Sequence, residues 1–312
     1  MRAFVFPGQG AQTIGMGKDL ADAYPAAKTV FDEVDAALGE DLSGLIWAGD
    51  IETLTLTRNA QPALMATSLA AIRALEAEGV SMAAASFVAG HSLGEYSALA
   101  AAGALSVADT ARLLRVRGTA MQEAVAVGDG AMAALLGLDF ATVQDVAAEA
   151  AGDAVCEAAN DNDPAQVVVS GHKAAVERAV DLAKERGAKR AVLLPVSAPF
   201  HCSLMAPAAE RMAAALADVT IQVPQVPVVA NVLASAVDDP ERIKALLVQQ
   251  VTGAVRWRES VAYMVGQGVT EIYEVGAGKA LSGMIRRIDR SVAATPVGGP
   301  DDVKAAAAAI LT

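Results

Sequence analysis

Two rhythms of apolar and polar positions divide the chain into elements. Residues 2–6, apolar from Ala3 onward, are too few for a helix and are closed by Pro7-Gly8, which predicts a buried strand. Apolar residues three and four apart predict helices over 26–38 and 62–78, the second with Pro62 in its first turn. The run 86–89 predicts another strand, followed by an alanine-rich helix over 95–102 and, after Ser106, a helix over 107–124. From residue 125 the texture changes. Strands are expected at 131–136, 154–159, 166–170 and 190–194, with helices at 140–151 and 172–186. That β-α-β-β-α-β order is the ferredoxin-like pattern. It predicts a small subdomain over 125–197 inserted into a larger α/β domain made of 1–124 and 198–312. The larger domain resumes with helices at 203–217, 240–250 and 257–267, strands at 226–230, 270–275 and 292–296, and a last helix from 301.

The sharpest chemical signal lies where the 86–89 strand meets its helix, at Gly90-His91-Ser92-Leu93-Gly94. A serine at a strand-to-helix corner is a nucleophile elbow, with glycines that let strand, turn and helix approach closely. The helix N-terminus there stabilises a developing oxyanion. Ser92-x-x-Glu95 also fits a capping box, in which the serine only starts the helix. Two other glycine turns carry less. Pro7 to Gln12 is no dinucleotide fingerprint, because Thr13 replaces the third glycine, but its backbone N–H groups can face a ligand. Gly276-Ala277-Gly278-Lys279 is no phosphate loop, because Tyr273 and Ala280 stand at the required glycine and hydroxyl positions.

A serine nucleophile needs a base. His91 projects away from the hydroxyl, His172 is explained by its place at a helix start, and His201, in the loop returning to the large domain, remains by elimination. Cys202 beside it is a candidate nucleophile that nothing in the sequence activates. In the 107–124 helix, Arg112 and Arg115 share a polar face with Thr119 and Gln122, whereas Arg117 lies with Leu113, Leu114, Met121 and Ala124. An arginine on an apolar stripe needs an anion, from a ligand or an internal Asp or Glu, unless it snorkels to solvent.

Composition narrows the classes. With 312 residues, 54 % hydrophobic and 19 % charged, the chain can bury a substantial core. No apolar run reaches the ~20 residues of a spanning helix, so no membrane partner is expected. A net charge of −12 argues against nucleic acid. Cys156 and Cys202 have neither metal-ligand nor disulfide-framework spacing, so no metal site is expected and a reducing cytoplasm is the expected location. Basic residues cluster at Lys184, Arg186, Lys189 and Arg190, and at Lys279, Arg286 and Arg287.

These and other pieces follow one another in order: Phe6-Pro7-Gly8-Gln9-Gly10, Gly90-His91-Ser92-Leu93-Gly94-Glu95-Tyr96, Arg117-Gly118-x-x-Met121, Asn160 with Gln166-Val167-Val168-Val169-Ser170-Gly171, Ser197-x-x-x-His201, and Asn231, Gln250 and Glu274-Val275-Gly276. Together they make a chain that resembles, over about its whole length, the malonyl-CoA:acyl-carrier-protein transacylases of fatty-acid synthesis and the related acyltransferase domains of polyketide synthases. The resemblance implies an α/β-hydrolase-like core with a ferredoxin-like insert. It implies Ser92 as acylated nucleophile, His201 as general base, and the N–H groups of Gln9 and Leu93 as oxyanion hole. Arg117 would clamp the malonyl carboxylate, with Met121 and Phe200 as further substrate contacts, and the main-chain carbonyl of Gln250 would orient His201. Malonyl-CoA and acyl carrier protein are the implied partners, with no cofactor and a monomeric chain. Phe200 matches malonyl-selecting relatives, and Ala277 departs from a common proline. A serine hydrolase or thioesterase, or an acyltransferase serving a polyketide synthase, stand as alternatives, and a carboxylate clamp favours transfer.

Overall fold

The computed structural model describes residues 1–196 and 198–312, so Ser197 of the Ser197-x-x-x-His201 motif lies outside the described residues. In chain order the strands are β1 (Arg2–Phe6), β2 (Phe87–Gly90), β3 (Gly130–Leu136), β4 (Cys156–Asp163), β5 (Gln166–His172), β6 (Arg190–Leu193), β7 (Val228–Ala230), β8 (Ser235–Val237), β9 (Glu271–Val275) and β10 (Ala293–Val297). They form a six-stranded sheet ordered β10-β9-β1-β2-β7-β8 and a four-stranded sheet ordered β4-β5-β3-β6. The larger sheet is parallel apart from its β7–β8 edge pair.

Alternation along β1 explains why its residues from Ala3 to Phe6 are all apolar. Phe4 and Phe6 pack into one core with Leu64, Leu99 and Leu114 from the helices above, while Ala3 and Val5 face a second core around Trp257, Val261 and Ile285. A parallel strand covered on both faces has no position for a polar side chain. Gln9, Ser92 and Asn231 follow the carboxyl ends of β1, β2 and β7, which are neighbours in the sheet. The crevice outside those ends is where open α/β sheets bind ligands.

The small sheet is antiparallel throughout. Ala133 and Leu135 of β3 pack with Val143, Val146 and Val176 from its two helices, Phe140–Ala151 and Lys173–Glu185. Met132 and Ala134, on the opposite face, join the main core. The small sheet is thus fastened to the large one by burial as well as by sequence.

Three expectations need correction. The helix expected from Pro62 begins at Thr57 and runs to Ala77, with Pro62 inside it. Proline supplies no N–H to the carbonyl four residues back. Arg115 of the Val107–Glu123 helix donates to that Arg58 carbonyl at 2.6 Å, so the helix continues. The strand expected to stop at 159 extends through Asn160, Asp161, Asn162 and Asp163, because the large body supplies partners for this polar end. Arg258 pairs with Asp161 at 2.7 Å, His91 meets Asn162 at 2.9 Å, and Arg287 pairs with Asp163 at 2.8 Å. Short helices at Lys18–Ala23, Leu42–Ala48 and Ile51–Thr55 were not expected. The last two start at Asp41 and Asp50, whose carboxylates cap Gly44 and Thr53, so a signal was present in those aspartates.

Candidate active site

Ser92 stands between β2 and the Gly94–Ala101 helix with φ of 54°, in the left-handed region. The corner is this tight because both flanking glycines are in backbone contact. A Cβ on Gly90 would lie 1.9 Å from the Gly94 carbonyl, and one on Gly94 would lie 2.3 Å from the Phe6 oxygen. A non-glycine residue in this conformation is held there by its surroundings. Its N–H donates to Asn231 Oδ1 at 2.8 Å, and its carbonyl accepts from Gln250 Nε2 at 3.0 Å. The capping-box alternative is not what the side chains do. Ser92 Oγ lies 2.7 Å from His201 Nε2, and Glu95 turns inward to Asn231 and Gln250.

His201 also has positive φ, 58°, and is buried. Its Nδ1 lies 2.9 Å from the Gln250 carbonyl and 3.2 Å from the Gly253 carbonyl. Carbonyls only accept, so Nδ1 carries the proton and Nε2 presents a lone pair to Ser92. The imidazole is pushed down to about 3, first by burial and then by the charge of Arg117. It is therefore neutral at neutral pH. His91 points to Asn162 and not to Ser92, and His172 accepts from the Val155 N–H at 2.9 Å without capping its helix. Cys202 is fully buried, its thiol pushed up to about 11 by burial.

Arg117 is 1 % exposed. It donates to Gln61 Oε1 and Gln250 Oε1, each at 2.8 Å, and to Ser92 Oγ at 3.1 Å. These acceptors are neutral, and its buried Nε has no hydrogen-bond partner among the described residues. Neither an internal ion pair nor snorkelling accounts for it. The Ser92 hydroxyl accepts from the guanidinium and donates to His201, a geometry that favours loss of its proton. Gln61 Nε2 in turn reaches Met121 Sδ at 3.7 Å, and Phe200 is buried directly before His201.

Gln9 and Leu93 follow the two strands whose turns touch, His91 N–H donating to the Phe6 carbonyl at 3.0 Å. The Gln9 side chain is tied to Thr57 Oγ1 at 3.2 Å. Sequence reasoning missed Gln61, and it did not foresee the joint work of Glu95, Asn231 and the Gln250 side chain. Their contacts to one another and to Ser92 span 136 to 158 residues of chain and leave no local pattern. Among the described residues, no helix is long and apolar enough to cross a membrane and no cluster of His, Cys, Asp and Glu is set to hold a metal ion.

A parallel sheet with a serine elbow, a carbonyl-oriented histidine and a buried arginine at the serine hydroxyl defines a nucleophilic acyl-transfer site. The chain matches the acyl transferase domain over residues 3–287, and it belongs to that family. It is 48 % identical over 304 residues to the malonyl CoA-acyl carrier protein transacylase of Escherichia coli K12, covering 97 % of this chain and 98 % of that one. Among solved structures it resembles an acyl-carrier-protein-S-malonyltransferase from Bartonella henselae, with 54 % identity, TM-score 0.97 and coverage of 100 % and 99 %. It is also similar to a malonyl-transacylase solved in complex with a type II PKS acyl-carrier protein, with 42 % identity, TM-score 0.96 and 99 % of each chain covered.

Proposed function

We propose that this chain transfers a malonyl group from malonyl-CoA to the phosphopantetheine thiol of an acyl carrier protein, through an ester on Ser92. The observation that carries the reading is the Arg117 guanidinium, buried beside the Ser92 hydroxyl with only neutral partners. A fixed, buried cation beside a nucleophile selects an acyl group whose distal carboxylate can pair with it. The similarity to malonyl-transacylases, one of them bound to a carrier protein, supports the same donor and acceptor.

In the first half-reaction His201 Nε2 takes the Ser92 proton as Oγ attacks the thioester carbonyl. The N–H groups of Gln9 and Leu93 receive the oxyanion. Collapse breaks the C–S bond, and the imidazolium returns its proton to the departing CoA thiolate. The second half-reaction runs the same path backwards with the carrier thiol. A malonyl carboxylate on Arg117 offsets the second cause of His201's low basicity, so the acidic acyl group improves its own base. Gln250 and Gly253 carbonyls do the orienting usually left to a carboxylate, and Met121 and Phe200 line the acyl side. The strand order β4-β5-β3-β6 supports a ferredoxin-like subdomain at 125–197 in an α/β-hydrolase-like core of 1–124 and 198–312.

Incubation with malonyl-CoA alone is expected to add one malonyl group to Ser92 with release of one CoA, and Ser92→Ala to abolish the adduct, as read by intact-protein mass. An adduct that persists in Ser92→Ala, or that maps to Cys202, would refute the mechanism. Hydrolysis outrunning transfer at saturating carrier protein would make the chain a thioesterase.

A further inference from the structure

We propose that Glu95 is a positioning residue of this site, the counter-charge that sets how tightly Arg117 holds an acidic acyl group. The inference rests on the malonyl reading above and deepens it.

Glu95 belongs to the first turn of the Gly94–Ala101 helix and is 2 % exposed. Its carboxylate does not cap that helix. A single oxygen, Oε2, accepts from the Asn231 N–H at 2.9 Å and from Gln250 Nε2 at 2.8 Å. The other end of the same Gln250 amide accepts from Arg117 Nη2 at 2.8 Å. One amide therefore separates carboxylate from guanidinium, with its dipole aligned between them. Glu95 is the carboxylate whose field reaches Arg117.

In the free site one buried cation faces one buried anion. A malonyl carboxylate on Arg117 adds a second anion, and two carboxylates sharing one cation disfavour their joint ionisation. Glu95 relieves this by taking a proton as malonyl binds. Burial has already lifted its carboxyl to about 7, so the proton is available near neutrality. The other groups around it do not titrate between pH 6 and 8. Arg117 stays charged, Tyr96 is pushed above its ordinary value by burial, and His201 lies at about 3. An acetyl group brings no second anion and feels none of this.

Glu95→Gln isolates the charge. Both donors fall on one oxygen, so the amide can keep its own oxygen there and hold Asn231 and Gln250 unchanged. Protonating a group one pH unit above its pKa costs a factor of about ten. The malonyl-to-acetyl ratio of kcat/KM for acylation is accordingly expected to be about tenfold higher in Glu95→Gln than in the wild type at pH 8. The two proteins are expected to converge at pH 6. The wild-type ratio itself rises about tenfold from pH 8 to pH 6, whereas the Glu95→Gln ratio stays flat.

A purely structural Glu95 gives the opposite sign, because a loosened Gln250 misplaces Arg117 and the ratio falls. A lower or unchanged ratio in Glu95→Gln overturns the inference, and so does a wild-type ratio that ignores pH. The wild-type series needs no variant, so the question is decided even if Glu95→Gln misfolds. A wild type that never forms a malonyl ester refutes the functional reading and this inference with it. An ester formed with a pH-independent ratio refutes Glu95's role alone.

Discussion

Replacing Arg117 with alanine tests whether the buried cation serves the substrate or the fold. In the free protein the guanidinium makes three hydrogen bonds to neutral oxygens, at 2.8 Å to Gln61, 2.8 Å to Gln250 and 3.1 Å to Ser92. For an acetyl group the only lost contact that involves a reacting atom is the one to Ser92 Oγ, which at 3.1 Å is worth about 1.5 kcal/mol, the weak end for a hydrogen bond to a charged group. Part of that is returned, because the second cause of His201's low basicity goes with the arginine. For a malonyl group the variant leaves a carboxylate buried without its partner, which costs roughly 3–5 kcal/mol. At ~1.4 kcal/mol per decade, malonyl acylation should fall by about two to four orders of magnitude. Acetyl acylation should fall by no more than about tenfold. Single-turnover acylation with malonyl-CoA and acetyl-CoA, followed by thiol release and intact mass, reads both numbers on one preparation. Arg117→Lys should recover little of the malonyl rate, since an ammonium lacks the planar fork that meets a carboxylate with two donors. Equal losses for both acyl groups in a folded Arg117→Ala protein would show that the arginine only braces the Gln61–Gln250 pair, and the substrate assignment would fall.

His201, held neutral down to about 3, should give acetyl acylation a kcat/KM that stays level from pH 8 to about 5, because that parameter reports the free enzyme's base. An acid limb centred near 6.5 would contradict the buried, Arg117-depressed imidazole; His201→Ala should slow both half-reactions alike. Lys189 and Arg190 are exposed and without ion-pair partners among the described residues, so reversing both to glutamate should slow transfer to an acidic carrier protein more than acylation by malonyl-CoA. The difference should shrink as salt is raised, and carrier kinetics indifferent to the reversal would exclude that face. The second basic cluster is a poor probe of docking, since Arg287 is committed to Asp163 and Arg286 donates to the Ala294 carbonyl.

What the sequence disclosed and what it withheld follow from the range of the forces involved. The elbow was legible because its constraint is local: Gly90 and Gly94 must lack Cβ atoms where backbone meets backbone, and both lie within two residues of Ser92. The helix Phe140–Ala151 was legible because its apolar stripe repeats within the element and Gly152 follows it. The polar end of β4 was not, because Asp161, Asn162 and Asp163 run along β5 while their side chains find Arg258, His91 and Arg287 on the other body. Read locally, those residues spell a loop. The role of Glu95 was hidden for a related reason. Three residues after a serine at a helix start, a glutamate has a local use, the reciprocal cap, and its actual partners lie 136 and 155 residues away. Arg117 falls between the two cases. Its position on an apolar stripe was visible, and the stripe demanded an anion, but Glu95 and a substrate carboxylate were equally silent candidates. The geometry divides the role between them. Gln250 keeps Glu95 one amide away, near enough to steady the charge and too far to consume it, so the buried Nε edge of the guanidinium has no partner among the described residues.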